Sequence, residues 1–223
     1  MKFEKDSEFS SSLAELQVST IPVSAIILAG GSGSRMGGIS KSNLTLGNET
    51  FINRNIRSME KIVCEIVISV VGSNLPDLTD YTGRNIPVHV VVDESNGHGP
   101  LMGILSALKA SKFEINFITT VDSPFVSISF AKYLIQGLGK KDAHVPIWNG
   151  YPEPLFAVYR KSCIPFIQES LQENKRKIVS FYDKIAVKYA DSEVVKKYDE
   201  KGLSFININT QEEYRKLIHF TDL

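Results

Sequence analysis

Between Leu28 and Lys41 the chain reads Leu28-Ala29-Gly30-Gly31-Ser32-Gly33-Ser34-Arg35-Met36-Gly37-Gly38, then Ile39-Ser40-Lys41. Five glycines fall within nine residues, directly after a run of apolar residues. Glycines allow positive φ, so successive main-chain N–H groups can turn inward together. A concave set of such donors is a nest for phosphate oxygens. Arg35 adds a planar two-pronged donor and Lys41 a point charge. The segment therefore predicts a phosphate-binding loop. It is neither a GxxxxGK[ST] loop, because Ile39 follows Gly38, nor a GxGxxG loop, because Met36 stands where the third glycine belongs.

A second group of candidates lies further along. Asp122 follows the apolar run Phe117-Ile118-Thr119-Thr120-Val121 and precedes Ser123-Pro124. A carboxylate at the carboxyl end of a central strand faces the same crevice as the Gly-rich loop, and Mg²⁺ commonly takes one or two carboxylates plus substrate phosphates. Asp93 ends another strand and is offered as an acceptor for a base or ribose. Gly99 and Gly103, around Pro100, flank a helix start and suggest close backbone approach to a ligand. His98 reads as a solvated loop histidine. Asn207 and Asn209 share one face of an expected strand, and their amides suit a polar heterocycle. Glu153 reads as structural or as a hydroxyl acceptor. Lys175-Arg176-Lys177 reads first as a solvated face, with an anion site as its alternative.

Something must hold these groups in one place. Val23 to Leu28, Cys64 to Val71, Pro87 to Val92 and Ile115 to Val121 read as strands. Helices are expected over Thr50 to Ile62, Pro100 to Ser111 and about Ser127 to Leu138. The alternation argues for an α/β fold: a Rossmann-like, mostly parallel sheet flanked by helices, with right-handed crossovers. Ala143 to Ile147 and Pro154 to Val158 are expected as a small β-hairpin lobe beside that sheet, turning at Trp148-Asn149-Gly150-Tyr151. Helical stretches follow at Lys161 to Gln172 and Lys177 to Lys184, with short strands at Ile185 to Tyr189 and Ser204 to Ile208. Thr210 and Glu213 have the spacing of a capping box.

The bulk numbers narrow the class. With 223 residues, 43% of them hydrophobic and 22% charged, the chain has enough apolar matter for one sizeable core. Residues 1–19 are expected as a flexible, Ser-rich extension and 20–223 as a single domain. Lys plus Arg equals Asp plus Glu at 25 each, which leaves no global basic field for nucleic acid. Two cysteines outside any CxxC or Cys/His cluster argue against zinc. Cys64 is expected as a buried thiol. No apolar run is long enough for a bilayer span and no leader is evident, so a cytoplasmic protein without a membrane partner is expected.

On these motifs the chain resembles the molybdenum cofactor guanylyltransferases, a branch of the nucleotidyltransferases with a Rossmann-like fold. The family's pattern corresponds, in order, to Leu28-Ala29-Gly30-Gly31, Arg35-Met36-Gly37, Lys41, Asp93, Gly99-Pro100-Leu101 with Gly103, Asp122-Ser123-Pro124, Pro154-Leu155-Phe156 and Asn207-Ile208-Asn209-Thr210. The resemblance implies transfer of GMP from GTP to the terminal phosphate of molybdopterin, with Mg²⁺ as cofactor. It implies that Leu28, Ala29, Gly30, Gly31, Ser32, Gly33, Arg35 and Lys41 hold the GTP phosphates. Asp93, Gly99, Pro100 and Gly103 would hold the nucleoside, Asp122 the metal, and Asn207 and Asn209 the pterin. Arg35, Lys41 and Asp122 are the implied catalytic set. Molybdoenzymes or proteins of the cofactor pathway are the implied protein partners. The chain departs from the family at Ser40, where Asp is usual, and at Val121-Asp122-Ser123-Pro124, where Cys-Asp-Met-Pro is frequent. Three other readings stay open: a cytidylyl-pterin or sugar-nucleotide transferase, a catalytically silent nucleotide-binding module, and a glycosyltransferase, which would be expected to carry Asp-x-Asp.

Overall fold

The computed structural model describes residues 21–30, 41–72, 75–76, 78, 86–95 and 97–221. Strand β1 (Val23–Leu28) is buried along its whole length, as are β4 (Glu65–Val70) and β6 (Ile115–Thr120). A strand apolar on both faces needs cover on both sides. Alternate β1 residues supply it: Val23, Ala25 and Ile27 enter one core, Ile26 and Leu28 the other. The first core is filled by helices α1 (Phe51–Met59) and α3 (Ile128–Gly137), the second by α2 (Pro100–Ala110) and α4 (Ile164–Gln172).

The main sheet runs β5 (Val88–Val92), β4, β1, β6, β9 (Ala157–Arg160), β7 (Ala143–Trp148) and β10 (Val187–Ala190). Strands β5, β4, β1 and β6 are mutually parallel. From β1 the chain steps outward to β4 and β5, then returns across β1 to β6. The strand order therefore reverses between β1 and β6, and open α/β sheets bind ligands outside the carboxyl ends of strands at such a reversal.

The second half departs from the expected lobe. A hairpin does form at Asn149-Gly150, where φ values of 49° and 83° suit a two-residue turn that pairs Trp148 with Tyr151. Its second strand, β8 (Tyr151–Pro152), is only two residues long. The expected strand at Pro154 to Val158 begins instead at Ala157 and inserts antiparallel between β6 and β7. It is thus part of the main sheet, because its apolar residues Ala157, Val158 and Tyr159 are buried there. Ser204 to Ile208 is not a strand: Leu203–Phe205 is a 3-10 turn and the next four residues run outside any sheet. The stretch Ile178–Lys184 is likewise 3-10. Three short elements were not legible in the pattern: β2 (Thr45–Leu46), β3 (Glu49–Thr50) and α5 (Ser192–Tyr198). The last helix, α6 (Gln211–Thr221), starts with the expected capping box: Glu213 N–H donates to Thr210 Oγ1 at 3.2 Å, and Thr210 N–H to Glu213 Oε2 at 2.9 Å.

Candidate functional site

At the carboxyl ends of β1, β4, β5 and β6 lies a cavity of about 590 Å³. Each parallel strand delivers one piece of its wall: Leu28, Ala29 and Gly30 from β1, Ser69 and Val71 from β4, Asp93 from β5, and Thr120, Val121 and Asp122 from β6. Gly30 is required by close approach, since a Cβ there would lie 2.6 Å from Val71 Cγ2. Gly31, Ser32, Gly33 and Arg35 of the expected phosphate loop lie outside the described residues.

Asp122 is set by several independent contacts. Its loop is tied to α1, where Asn55 Nδ2 donates to the carbonyls of Thr120 (3.3 Å) and Val121 (3.4 Å). Arg54 Nε donates to Pro124 O at 2.8 Å, with its guanidinium over the Phe125 ring. On the other side Ile208 N–H donates to Asp122 O at 2.9 Å, and the Ile208 side chain is anchored in the core. The carboxylate itself faces the cavity and meets Lys41, whose Nζ lies 2.6 Å from Asp122 Oδ2 and 2.6 Å from Asn209 Oδ1. Lys41 opens a short 3-10 turn packed against α1. Three residues from distant parts of the chain thus converge on one point. No group of three or more His, Cys, Asp or Glu able to hold a metal occurs among the described residues. The Asp122 carboxylate in a ligand cavity matches the needs of Mg²⁺, which keeps waters and takes substrate phosphates as further ligands.

Asp93 is buried, and Ser69 Oγ donates to its Oδ1 at 2.5 Å. Burial pushes its carboxyl pKa up, and the Ser69 hydrogen bond opposes that rise. Helix α2 comes down onto this pair. At Gly99 φ is +67°, a conformation that favours glycine, and it turns the chain into Pro100 at the first helical turn. One turn on, a Cβ at Gly103 would lie 2.8 Å from Ser69 Oγ and 3.2 Å from Leu28 Cδ2. Both glycines exist to bring the start of α2 onto the cavity floor.

Among the sequence candidates, Leu28, Ala29, Gly30, Lys41, Asp93, Gly99, Pro100, Gly103, Asp122, Asn207 and Asn209 all line this cavity. His98 lines it too and is half-buried, with Nδ1 enclosed and unpartnered, so the solvated reading is corrected. The expected strand at Asn207 and Asn209 is absent, yet the extended segment still turns both amides to the cavity. Of Pro154-Leu155-Phe156 only Leu155 reaches the wall, while Phe156 sits in the core against Phe117 and Phe130. Glu153 is half-buried away from the cavity wall, and burial lifts its carboxyl to about 6. Lys175, Arg176 and Lys177 are exposed, and Lys175 pairs with Glu173 at 2.7 Å, which fits the solvated face. Cys64 is exposed and Cys163 is the buried thiol, with burial pushing the latter up to about 12. Ser69, Thr120, Ser123, Arg54 and Asn55 were missed. For Ser69, Thr120 and Asn55 the available signal was a polar side chain inside an apolar strand or on the buried face of a helix.

A family model described as the MobA-like NTP transferase domain matches residues 25–188. Over 196 residues the chain is 33% identical to a protein of Pelotomaculum thermopropionicum named probable molybdenum cofactor guanylyltransferase, covering 88% of this chain and 92% of that one. A protein of Natranaerobius thermophilus with the same name is 36% identical, over 86% and 92%. The molybdopterin-guanine dinucleotide biosynthesis protein A of Archaeoglobus fulgidus superposes with a TM-score of 0.72, covering 89% of this chain and 98% of that one. At 24% identity that likeness speaks for the fold. No helix among the described residues is long and apolar enough to cross a membrane.

Proposed function

The chain belongs to the family of MobA-like NTP transferase domains and is a nucleotidyltransferase, and from that premise we propose that it transfers GMP from GTP to the terminal phosphate of molybdopterin, releasing pyrophosphate. The observation that carries this reading is the convergence of Lys41, Asp122 and Asn209 within 2.6 Å contacts, at the point where the strand order reverses.

In the reaction the acceptor phosphate attacks the α-phosphorus of GTP in line, a new P–O bond forms, and the bond to the β,γ-pyrophosphate breaks. The attacking group is already an anion near neutral pH, so no general base is needed. Catalysis is positioning and neutralisation of charge. Asp122 would hold Mg²⁺, which supplies charge neutralisation to the triphosphate when bound. Lys41, with Arg35 and Leu28 to Gly33, would bind the phosphates. Asp93, fixed by Ser69, would accept from the nucleoside beside the close backbone of Gly99, Pro100 and Gly103. Asn207 and Asn209, on the wall with Thr120 and Asp122, would face the pterin. Balanced net charge and short apolar runs support a cytoplasmic enzyme acting on small molecules.

The test is pyrophosphate release by the purified chain with Mg²⁺, each of GTP, CTP, UTP and ATP, and molybdopterin with or without molybdate. Release with GTP alone, dependent on the pterin, is the expected result. Release with CTP would move the chain to cytidylyl transfer, and no release with any pairing would overturn the reading.

A further inference from the structure

An asparagine at the mouth of a cavity can offer a ligand either its carbonyl or its NH₂, and the two ends differ in what they recognise. At Asn207 that choice is already made. Its Oδ1 accepts from Ser123 Oγ at 2.6 Å and lies 3.5 Å from Thr120 Oγ1. The two hydroxyls also bond to each other at 2.9 Å. Ser123 and Thr120 are buried, at 4% and 9% exposure, whereas Asn207 is exposed on the cavity wall. With the Ser123 hydrogen given to Asn207, the Thr120 hydroxyl donates to Ser123 Oγ, so the Ser123 hydroxyl holds the carbonyl end in the protein and the end that remains for a ligand is the pair of N–H donors. The neighbouring Asn209 likewise has its Oδ1 taken by Lys41, while its Nδ2 donates one N–H to Asn207 O at 3.5 Å and keeps the other for a ligand.

From this we infer that Ser123 is a positioning residue that fixes the acceptor specificity of the site, by locking Asn207 as a donor. A wall of amide N–H groups beside the Lys41 ammonium selects an acceptor that brings hydrogen-bond-accepting, anionic groups, a phosphate monoester in particular. It disfavours one that brings only donors, such as an ammonium, because those would meet N–H groups where they need acceptors. Ser123 does this without lining the cavity itself. The inference rests on the reading of Asn207 as facing the acceptor.

The experiment compares wild type with Ser123→Ala, Ser123→Thr, Asn207→Ala and the Ser123→Ala/Asn207→Ala double variant. Pyrophosphate release with GTP and Mg²⁺ is followed as molybdopterin is varied. Ser123→Ala is expected to raise the acceptor KM about tenfold, the scale of one ~1.4 kcal/mol hydrogen bond. GTP affinity and kcat should stay within about threefold, the scale of a peripheral effect. Ser123→Thr should restore the acceptor KM, and Ser123→Ala should add nothing in the Asn207→Ala background. An unchanged acceptor KM, or an equal penalty in that background, overturns the inference. Failure of guanylyl transfer itself is seen as a wild type that releases no pyrophosphate. In that event the side-chain amide signals of Asn207, recorded by ¹⁵N NMR during titration with inorganic phosphate, decide alone. Shifts present in wild type and lost in Ser123→Ala support the inference; signals that do not move in wild type overturn it.

Discussion

Lys41 and Asp122 form a 2.6 Å ion pair with side chains only 18% and 17% exposed. They are 81 residues apart in the chain, and Asn209, a further 87 along, closes the group. The three-residue group therefore forms only when the end of β6, the 3-10 turn and the segment before α6 are all in place. In the proposed reaction Asp122 supplies the carboxylate and Lys41 the cation that meets phosphate. Asp122→Asn keeps the shape and removes the charge, so turnover should fall about a hundredfold, the scale of losing one electrostatic stabiliser. Lys41→Met should lower kcat/KM for GTP by a similar factor. Single-turnover pyrophosphate release at saturating Mg²⁺ measures both, and near wild-type rates for Asp122→Asn would refute its assignment.

Gly103 tests the floor of the nucleotide end. A methyl group there meets Ser69 Oγ at 2.8 Å, and that hydroxyl is already held 2.5 Å from Asp93. Ser69 cannot move away without giving up Asp93. Gly103→Ala should cost about 1–3 kcal/mol, as overpacking does, and weaken GTP binding by about tenfold. Gly99→Ala has open space around it and suffers only from its backbone, at φ +67° and ψ −163°, so its cost should be about 1–3 kcal/mol. Urea denaturation with a nucleotide titration separates the two variants. Equal loss of GTP affinity in both would argue against a special role for the Ser69–Asp93 pair.

Asn55 is the most instructive of the missed residues. It is fully buried on α1, its Nδ2 holds the two carbonyls before Asp122, and its Oδ1 has no partner. An asparagine that leaves one buried atom unpaired is there for the bonds it does make. Asn55→Ala would take the side-chain donor from the Val121 carbonyl and leave the Thr120 carbonyl with the Ser123 N–H, at about 1–3 kcal/mol. The Asp122 loop would loosen, so the Mg²⁺ concentration at half-maximal activity should rise several-fold. Thermal melts together with Mg²⁺ titrations check this. A stability loss with no change in Mg²⁺ dependence would reduce Asn55 to a core residue.

How much of this was legible before any coordinates tracks how local each signal is. The strands β1, β4 and β6 were readable because continuous apolar runs mark double-sided burial. Gly99, Gly103 and Asp122 were readable because they sit at element ends. The insertion of β9 between β6 and β7 was not, because strand order and direction depend on pairings with distant strands. Asn207 and Asn209 reached the cavity for a reason other than the one expected. They lie on an extended segment fixed by Ile208 to Asp122 O, not on a strand. Ser69 and Asn55 were hidden because a single polar residue in an apolar run looks the same whether it is tolerated or used.

Two buried titratable groups predict how stability changes with pH, in opposite directions. His144 on β7 is fully buried, Leu134 O holds its Nδ1 at 2.8 Å, and its Nε2 has no partner. Burial outweighs that hydrogen bond and drives its pKa below the ordinary 6.5, with the Lys188 ammonium adding to the shift. The unfolded chain then takes up the proton before the folded one does. Stability is fully present above pH 6.5 and falls as the pH drops toward the folded value. Glu153 has the reverse sign: burial raises it from 4.5 to about 6. Its contribution is fully present below pH 4.5 and is lost as the pH rises through 6. Unfolding free energies from urea titrations between pH 4.5 and 7.5 measure the sum. Glu153→Gln should steepen the rise of stability with pH between 4.5 and 6, because it removes the opposing term. His144→Phe, which keeps an aromatic ring in that position, should flatten the rise just below 6.5. A wild-type slope left unchanged by either substitution would mean that these two burials do not set the acid stability of the chain.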